Sequence, residues 1–409
     1  MDAPRPPLRA RAICAAVACA LHLALFAPAV GERSGVLEND FGPEGEGIAA
    51  GDRPYRDHEL EYPPLSVPVL VAPALVADSV AGYTEAFQWE MIGFDLAIVV
   101  LLALAVPGGW RRIGGALAVY TAGVVAISGI VLGHSDIESS PLALARFDLV
   151  PAFFVLAAVL AREAGRSALW SSLLSVGVAV KAFPAALFPA LLRDERDPGR
   201  VAAAALAVLA VAAAIVLAYG DGFGSAISYH TERGLQIEAV AATPLEIAGI
   251  DDTSVAAEFG SGSFNFTGAG ADEARAASLA LMIALYAAVL WAGWRARTPQ
   301  MRLATALLAV VTVLAPVLSP QFLFWLLPLS AAAYGLGPAN VVLVAAAVMT
   351  QLMLQYYARV VVDFDPEFVW RLAGRNALLV VYLALVCGPI LRDGLRARAE
   401  APAERTAAA

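Results

Sequence analysis

The stretch Gly51–Leu70, GDRPYRDHELEYPPLSVPVL, passes within a few residues from a charged loop into an apolar segment. Residues 31–63 carry nine acidic side chains and three arginines, although 60% of the 409 residues are hydrophobic and only 15% are charged. Mean hydropathy is +0.71, a value that water-soluble chains of this size do not approach. Apolar runs near 20 residues recur from end to end, each long enough to cross about 30 Å of hydrocarbon as a helix. The composition therefore implies an all-α polytopic membrane protein. A β-barrel is excluded, because its strands alternate polar and apolar residues rather than running apolar. The charged loop is then a polar surface that meets lipid abruptly.

Working outward from that loop, spans are expected at about 11–30, 86–106, 114–133, 147–161, a hairpin at 168–192, 201–219, 275–294, 303–318, 320–336, 339–357 and 376–391. Arginines fall in alternate gaps: Arg5, Arg9 and Arg11; Arg111 and Arg112; Arg162 and Arg166; Arg193, Arg196 and Arg200; Arg295, Arg297 and Arg302; Arg392, Arg396, Arg398 and Arg405. Basic residues stay on the cytoplasmic side, which places these gaps and both termini inside. Residues 64–80 are too short and too rich in proline for a span and read as a re-entrant or interfacial helix. The hairpin reads as two half-helices around VKAFP. About 12 crossings follow, in a plasma membrane.

Residues 1–395 are thus expected to form one transmembrane domain, with outer polar loops at 31–80 (including the re-entrant segment) and 220–274. Both loops are expected to fold as short amphipathic helices. The Ala/Glu/Arg-rich tail 396–409 is expected to be a disordered cytoplasmic extension. Arg-rich residues before the first span and APA at 27–29 leave a cleaved signal peptide as an alternative. The three cysteines, two in the first span and one in the last, suggest neither a disulfide framework nor a metal cluster.

Ionisable residues near hydrocarbon are costly, so their positions inform. Lys181 is the only lysine and falls inside an apolar hairpin; it either snorkels to the interface or awaits an anion there. Arg146 and Asp148, in SPLALARFDLVP, neutralise each other or a neighbouring helix, or meet a ligand. In SYHTERGLQIEAV, the spacing of His230, Arg233 and Gln236 puts them on one face of a short helix, which is either a solvated surface or a binding face. Asp40 lies about ten residues beyond the first span, and Glu61 and Tyr62 stand at the end of the charged loop. Pro320 opens a span that leaves Gln321 and Trp325 near the outer interface. Asp363 and Asp365 form a lone DxD, more simply read as two solvated carboxylates than as a metal site.

Five motifs, GDRPYRDHELEYPPL, RFDLVPAFFVLAAVLAR, GVAVKAFPAALFPALL, YHTERGLQIEA and LSPQFLFWLLPL, occur in an order that resembles glycosyltransferase family 87. That resemblance implies a GT-C-type membrane fold with an extracytoplasmic active site and a polyprenyl-phosphate-mannose type of donor. By its place after the first span, Asp40 matches the family's catalytic aspartate, with Glu38 the alternative carboxylate. For the anionic leaving group of such a donor, Lys181 and Arg233 are the first expected cations, with Arg146 next and His230 a hydrogen-bond donor; Glu61, Tyr62, Gln236 and Gln321 are expected along the substrate cleft. No cofactor and no metal are expected, and no nucleic-acid partner. The expected partners are the lipid-linked donor, a glycolipid or glycan acceptor of an actinobacterial type of cell envelope, and membrane lipid. A transporter or flippase of a lipid-linked sugar is the competing class; the absence of an evident internal repeat and the gathering of polar residues on one face weigh against it.

Overall fold

The computed structural model describes residues 5–407 except 59, 132, 134–138, 220–222, 225–232, 251–254, 261–262 and 358–363. Helix α1 (Leu8–Phe26) leads through a 3-10 turn (Ala27–Ala29) into the first polar loop. That loop is itself folded. A π-helical turn (Leu37–Phe41) runs into α2 (Gly42–Ala50), and Gly51 ends the helix at φ +117°, a left-handed conformation that suits glycine. After the double proline comes α3 (Ser66–Ala74), whose nine residues rise only about 14 Å.

The chain continues through α4 (Val80–Leu104), α5 (Trp110–Ser128), the single turn α6 (Leu142–Ala145), α7 (Leu149–Glu163) and α8 (Ser167–Val180). Helix α8 stops where Lys181 adopts an extended backbone. Pro184, lacking an N–H, cannot continue the helical ladder, and a 3-10 turn (Phe183–Leu187) leads instead into α9 (Phe188–Leu192). Next come α10 (Pro198–Tyr219), α11 (Thr243–Ala248) and an antiparallel pair, β1 (Ala256–Gly260) and β2 (Ser263–Thr267), with Ala256 opposite Thr267. Helices α12 (Ala271–Arg295) and α13 (Gln300–Val313) follow. A 3-10 turn (Pro320–Phe322) then opens α14 (Leu323–Tyr334), before α15 (Pro338–Leu354) and α16 (Pro366–Ala407).

Among the described residues, five helical stretches are long and apolar enough to cross a membrane: Leu8–Ala29, Val80–Leu104, Pro198–Ala218, Ala271–Arg295 and Pro366–Ala397. The packing sorts them. On α10 and α12, large apolar residues such as Leu209, Val211, Leu281 and Ile283 stay exposed, as lipid-facing surfaces require. Helix α14 is buried continuously from Leu323 to Ala333 and forms the centre of the bundle with most of α7 and α13.

Polar locks hold the first spans together. His22 Nδ1 lies 2.6 Å from Asp95 Oδ2, its Nε2 lies 2.8 Å from Thr121 Oγ1, and the Tyr120 hydroxyl donates to Asp95 Oδ1 at 2.7 Å. Every one of these buried polar groups thereby finds a partner. At the exit of α1, Gln88 accepts from the Gly31 N–H at 2.7 Å and donates to the Glu32 carbonyl at 2.9 Å. The first polar loop therefore leaves α1 already tied to α4.

One local expectation fails. Residues 233–238 do not form a helix with a shared Arg233–Gln236 face. Leu235 and Ile237 are instead bonded to β2 (Phe266 N–H to Leu235 O, 2.8 Å; Ile237 N–H to Phe264 O, 3.1 Å), and the Gln236 N–H donates to Pro316 O at 3.0 Å. Partners distant in sequence satisfy this backbone, so tertiary pairing overrides the helical spacing. The second loop accordingly contains a hairpin beside the short α11. His230 lies outside the described residues.

The seat of α2 depends on Gly45. A Cβ there would lie 2.3 Å from the Leu70 carbonyl oxygen and 3.0 Å from the Tyr83 hydroxyl. Gly45→Val is expected to cost about 1–3 kcal/mol by overpacking and to lower the melting temperature in detergent. Gly93→Ala on the open surface of α4, where a Cβ meets nothing within 4 Å, is expected to leave stability unchanged or raised. Equal melting temperatures for the two variants would show that α2 is not held against α3 in this way.

Candidate active site

The break after α8 delivers Lys181 into a ring of aromatic side chains. Its Nζ lies 5.1 Å from the centroid of Phe147, 5.4 Å from those of Tyr62 and Trp325, and 5.5 Å from that of Phe322. These four rings come from three parts of the chain, and each turns the negative face of its π-system toward the cation. Lys181 Nζ donates to Asp148 Oδ1 at 2.7 Å, and the Trp325 indole N–H donates to the same oxygen at 2.7 Å. Asp148 sits at the N-terminal cap of α7, where the helix dipole favours a carboxylate. The Asp148 side chain is only 2% exposed and that of Lys181 14%. An ammonium carries three donors; Asp148 takes one.

Asp40 belongs to the π-helical turn and stands at an exposed rim. Its neighbour Phe41 is buried against Tyr62, Phe87 and Phe147, with ring centroids 6.1, 5.9 and 5.6 Å away. The turn carrying Asp40 is thus packed onto the rings around Lys181. Partial burial raises the Asp40 carboxyl above its ordinary range; the Arg146 guanidinium opposes that shift, and the Glu61 charge adds to it. Glu44, four residues on and so on the same side, is pushed up to about 8 by burial and by the Asp40 and Glu61 charges. The Tyr62 hydroxyl donates to Glu61, and burial holds its own pKa well above the usual phenol range. Glu38 is clamped by Arg33, Nε to Oε1 at 2.9 Å and Nη2 to Oε2 at 2.6 Å, which leaves Asp40 the better candidate base of the two.

Arg146 lies on the extended link between α6 and α7. Its Nη1 donates to the Ala145 carbonyl at 3.3 Å, and among the described residues it has no ion-pair partner within 4.0 Å. Arg233 Nη2 donates to Ser263 Oγ at 3.1 Å. Gln236 is a structural clamp: its Nε2 donates to Ser319 Oγ at 3.1 Å and to Glu238 Oε2, and its Oε1 accepts from the Leu318 N–H at 2.8 Å. It thereby fixes the segment that leads into Gln321, which is half-buried beside Phe322. The structure thus joins Tyr62, Asp148 and Lys181 by contact. It couples Asp40, Glu61 and Arg146 electrostatically, and it holds Arg233 and Gln236 in an adjoining layer.

Sequence reasoning missed Glu44, Phe147, Phe322 and Arg375, whose Nη2 donates to the Glu238 carbonyl at 2.8 Å. Glu238 is fully buried and pushed up to about 7 by burial, opposed by Arg375, a Tyr357 hydrogen bond, Arg233 and Gln236. The i,i+4 spacing from Asp40 to Glu44 was a readable signal. Nothing local announced the others. Among the described residues, no group of three His, Cys, Asp or Glu side chains suits a metal ion. Asp363 lies outside the described residues, and Asp365 caps α16 by accepting from the Glu367 N–H at 2.8 Å.

Fold and site together define a helical membrane protein whose acidic and cationic side chains meet at one end of an apolar bundle. The family model for glycosyltransferase family 87 matches residues 60–320, and the chain belongs to that family. It is therefore a glycosyltransferase. The matched segment includes Glu61, Tyr62, Arg146, Asp148, Lys181, Arg233 and Gln236, and begins after Asp40. No curated protein and no solved structure matches the chain.

Two predictions follow from this geometry. Because the Glu44 carboxyl is raised from 4.5 to about 8, the folded chain holds a proton that the unfolded chain has released. The stability it contributes is full below about pH 4.5 and falls as pH rises toward 8. The stability difference between wild type and Glu44→Gln, from denaturant unfolding at pH 5, 6.5 and 8, is expected to shift against the wild type as pH rises; a constant difference would mean that Glu44 ionises normally. Removing one member of the buried pair strands the other, so Asp148→Ala is expected to cost about 3 kcal/mol or more. Measured the same way, a loss within about 0.5 kcal/mol, as at an indifferent surface site, would show that the pair carries no such burden.

Proposed function

We propose that this glycosyltransferase moves a hexose, mannose in our reading, from a polyprenyl-phosphate donor to a glycolipid or glycan acceptor of the cell envelope. The transfer takes place on the extracytoplasmic face, with inversion at the anomeric carbon. The observation that carries this reading is the electrostatic coupling of the Asp40 carboxyl to Arg146, next in sequence to Phe147 of the ring-lined Lys181 site. A lipid-linked donor cannot leave the bilayer, so its sugar phosphate has to be met at that boundary.

Asp40 takes the proton of the acceptor hydroxyl as that oxygen bonds to the anomeric carbon. The bond from this carbon to the phosphate oxygen breaks, and its electron pair leaves with polyprenyl phosphate. Glu44 holds its own proton near neutral pH, so the carboxylate charge stays on Asp40. The leaving group is an anion and needs cations where its charge grows. Arg146 and Lys181 serve here, the latter with two donors beyond its bond to Asp148; Arg233 and His230 complete the set. Glu61, Tyr62 and Gln321 border the sugar and the acceptor. No nucleotide takes part, and the arginine distribution puts both termini in the cytoplasm.

Membranes holding the protein and radiolabelled polyprenyl-phosphate mannose test the proposal. Wild type is expected to pass label to an acceptor fraction, and Asp40→Asn to lower the rate about 10²–10⁴-fold while the protein stays folded. Undiminished turnover would remove Asp40 from the role of base. Label that crosses the membrane without transfer would replace the enzyme by a transporter.

A further inference from the structure

At the other end of the bundle, about 37 Å along α12 from its start near the hairpin, lies a second feature. The α12–α13 and α14–α15 connections and α16 enclose a cavity of about 410 Å³. Tyr334, Pro338, Ala339, Leu385, Val386 and Ile390 make its wall largely apolar. Arg297 and Arg302 also line it; both are exposed, and among the described residues neither has an ion-pair partner. The Arg302 guanidinium lies 5.7 Å from the centroid of the Tyr334 ring, which also lines the cavity. Asp393 is the one carboxylate on the lining, and Arg392 answers it at 3.6 Å.

Arg297 is held at φ +50°, just past the end of α12. Glycine is the usual residue there, since a side chain strains a left-handed backbone. The turn is rigid: the Thr298 N–H donates to Gly293 O at 2.9 Å, and Arg193 donates to the Gly293 and Thr298 carbonyls at 2.9 and 2.6 Å. A strained arginine with a free charge over a cavity is a feature that points to use. Exposed Trp294 and Leu336 flank the site, placing it where helix ends leave the hydrocarbon.

We infer that this cavity binds the phosphate of an anionic phospholipid from the leaflet at the arginine-rich end. The head group lies between Arg297 and Arg302, and one acyl chain runs along Leu385, Val386 and Ile390. Guanidinium groups match phosphate oxygens with paired donors, and basic pockets between membrane helices take acidic head groups in this way. Free phosphate offers the same anion, but the apolar wall and its opening onto α16 favour the lipid. No residue of this site belongs to the Asp40–Lys181 cluster, so the inference stands apart from the sugar-transfer reading.

The test uses the full chain in nanodiscs of phosphatidylcholine with and without 30% phosphatidylglycerol. Native mass spectrometry counts retained lipid, and thermal unfolding reads stabilisation. Wild type is expected to retain phosphatidylglycerol and to melt higher in its presence, whereas 10 mM inorganic phosphate leaves melting unchanged. Arg297→Gln with Arg302→Gln is expected to lower retention about tenfold, and the paired Lys variants to keep most of it. Both arginines are exposed, so melting in phosphatidylcholine alone should not change; if it falls, Arg302→Gln alone supplies the retention ratio. Equal retention by the Gln variants, or stabilisation by inorganic phosphate matching that by the lipid, would overturn the inference.

Discussion

The site is organised by one ion pair placed where water is scarce. Lys181 and Asp148 each lose hydration, a cost of several kcal/mol per ion that their attraction offsets only if geometry and hydrogen bonding are good. Here the carboxylate oxygen accepts from both Lys181 and Trp325, and four rings face the ammonium. The consequences reach far along the chain. Helix α8 must break at Lys181, α7 must start at Asp148, and the Pro320–Phe322 turn must bring Phe322 and Trp325 alongside. The end of the charged loop must lay Tyr62 on Phe147, where the ring centroids are 4.7 Å apart. A bond from the Leu65 N–H to the Ala179 carbonyl at 2.7 Å joins the loop directly to the end of α8.

With that framework fixed, the acidic loop acquires a chemical asymmetry. Three carboxylates, Asp40, Glu44 and Glu61, share one region with Arg146. Burial and the neighbouring charges push the Glu44 carboxyl up to about 8, whereas at Asp40 the Arg146 guanidinium works against the upward shift. Such a division of labour between neighbouring carboxyls is the arrangement general-base chemistry requires. The lock of His22, Asp95 and Tyr120 contributes from below by fixing α1, whose exit sets the height of the Asp40 turn.

Much of this was legible in the sequence. Long apolar runs identified the helices, because the hydrocarbon of a bilayer admits no unsatisfied backbone. The proline-rich VKAFPAALFP announced the break at Lys181, since proline stops a helix whatever surrounds it. The isolated lysine and RFD were both marked as unusual, yet their pairing was not visible: 33 residues separate Asp148 from Lys181, and no local rule links them. The Arg233–Gln236 spacing misled for the complementary reason. Helical periodicity is a local preference, and the backbone of Leu235 and Ile237 found strand partners in β2 instead. Gln236, read as lining the substrate cleft, also clamps Leu318 and Ser319, contacts that no local spacing announces.

The central claim is that a lipid-borne sugar phosphate sits between the Lys181 and Arg146 cations and the Asp40 carboxylate. The most direct measurement is a cryo-electron microscopy map of the protein with a non-transferable polyprenyl-phosphate sugar. The account predicts phosphate density within hydrogen-bonding reach of Lys181 and Arg146, with the anomeric carbon turned toward Asp40. Phosphate bound elsewhere, or a sugar facing away from Asp40 with that side chain directed into solvent, would contradict it.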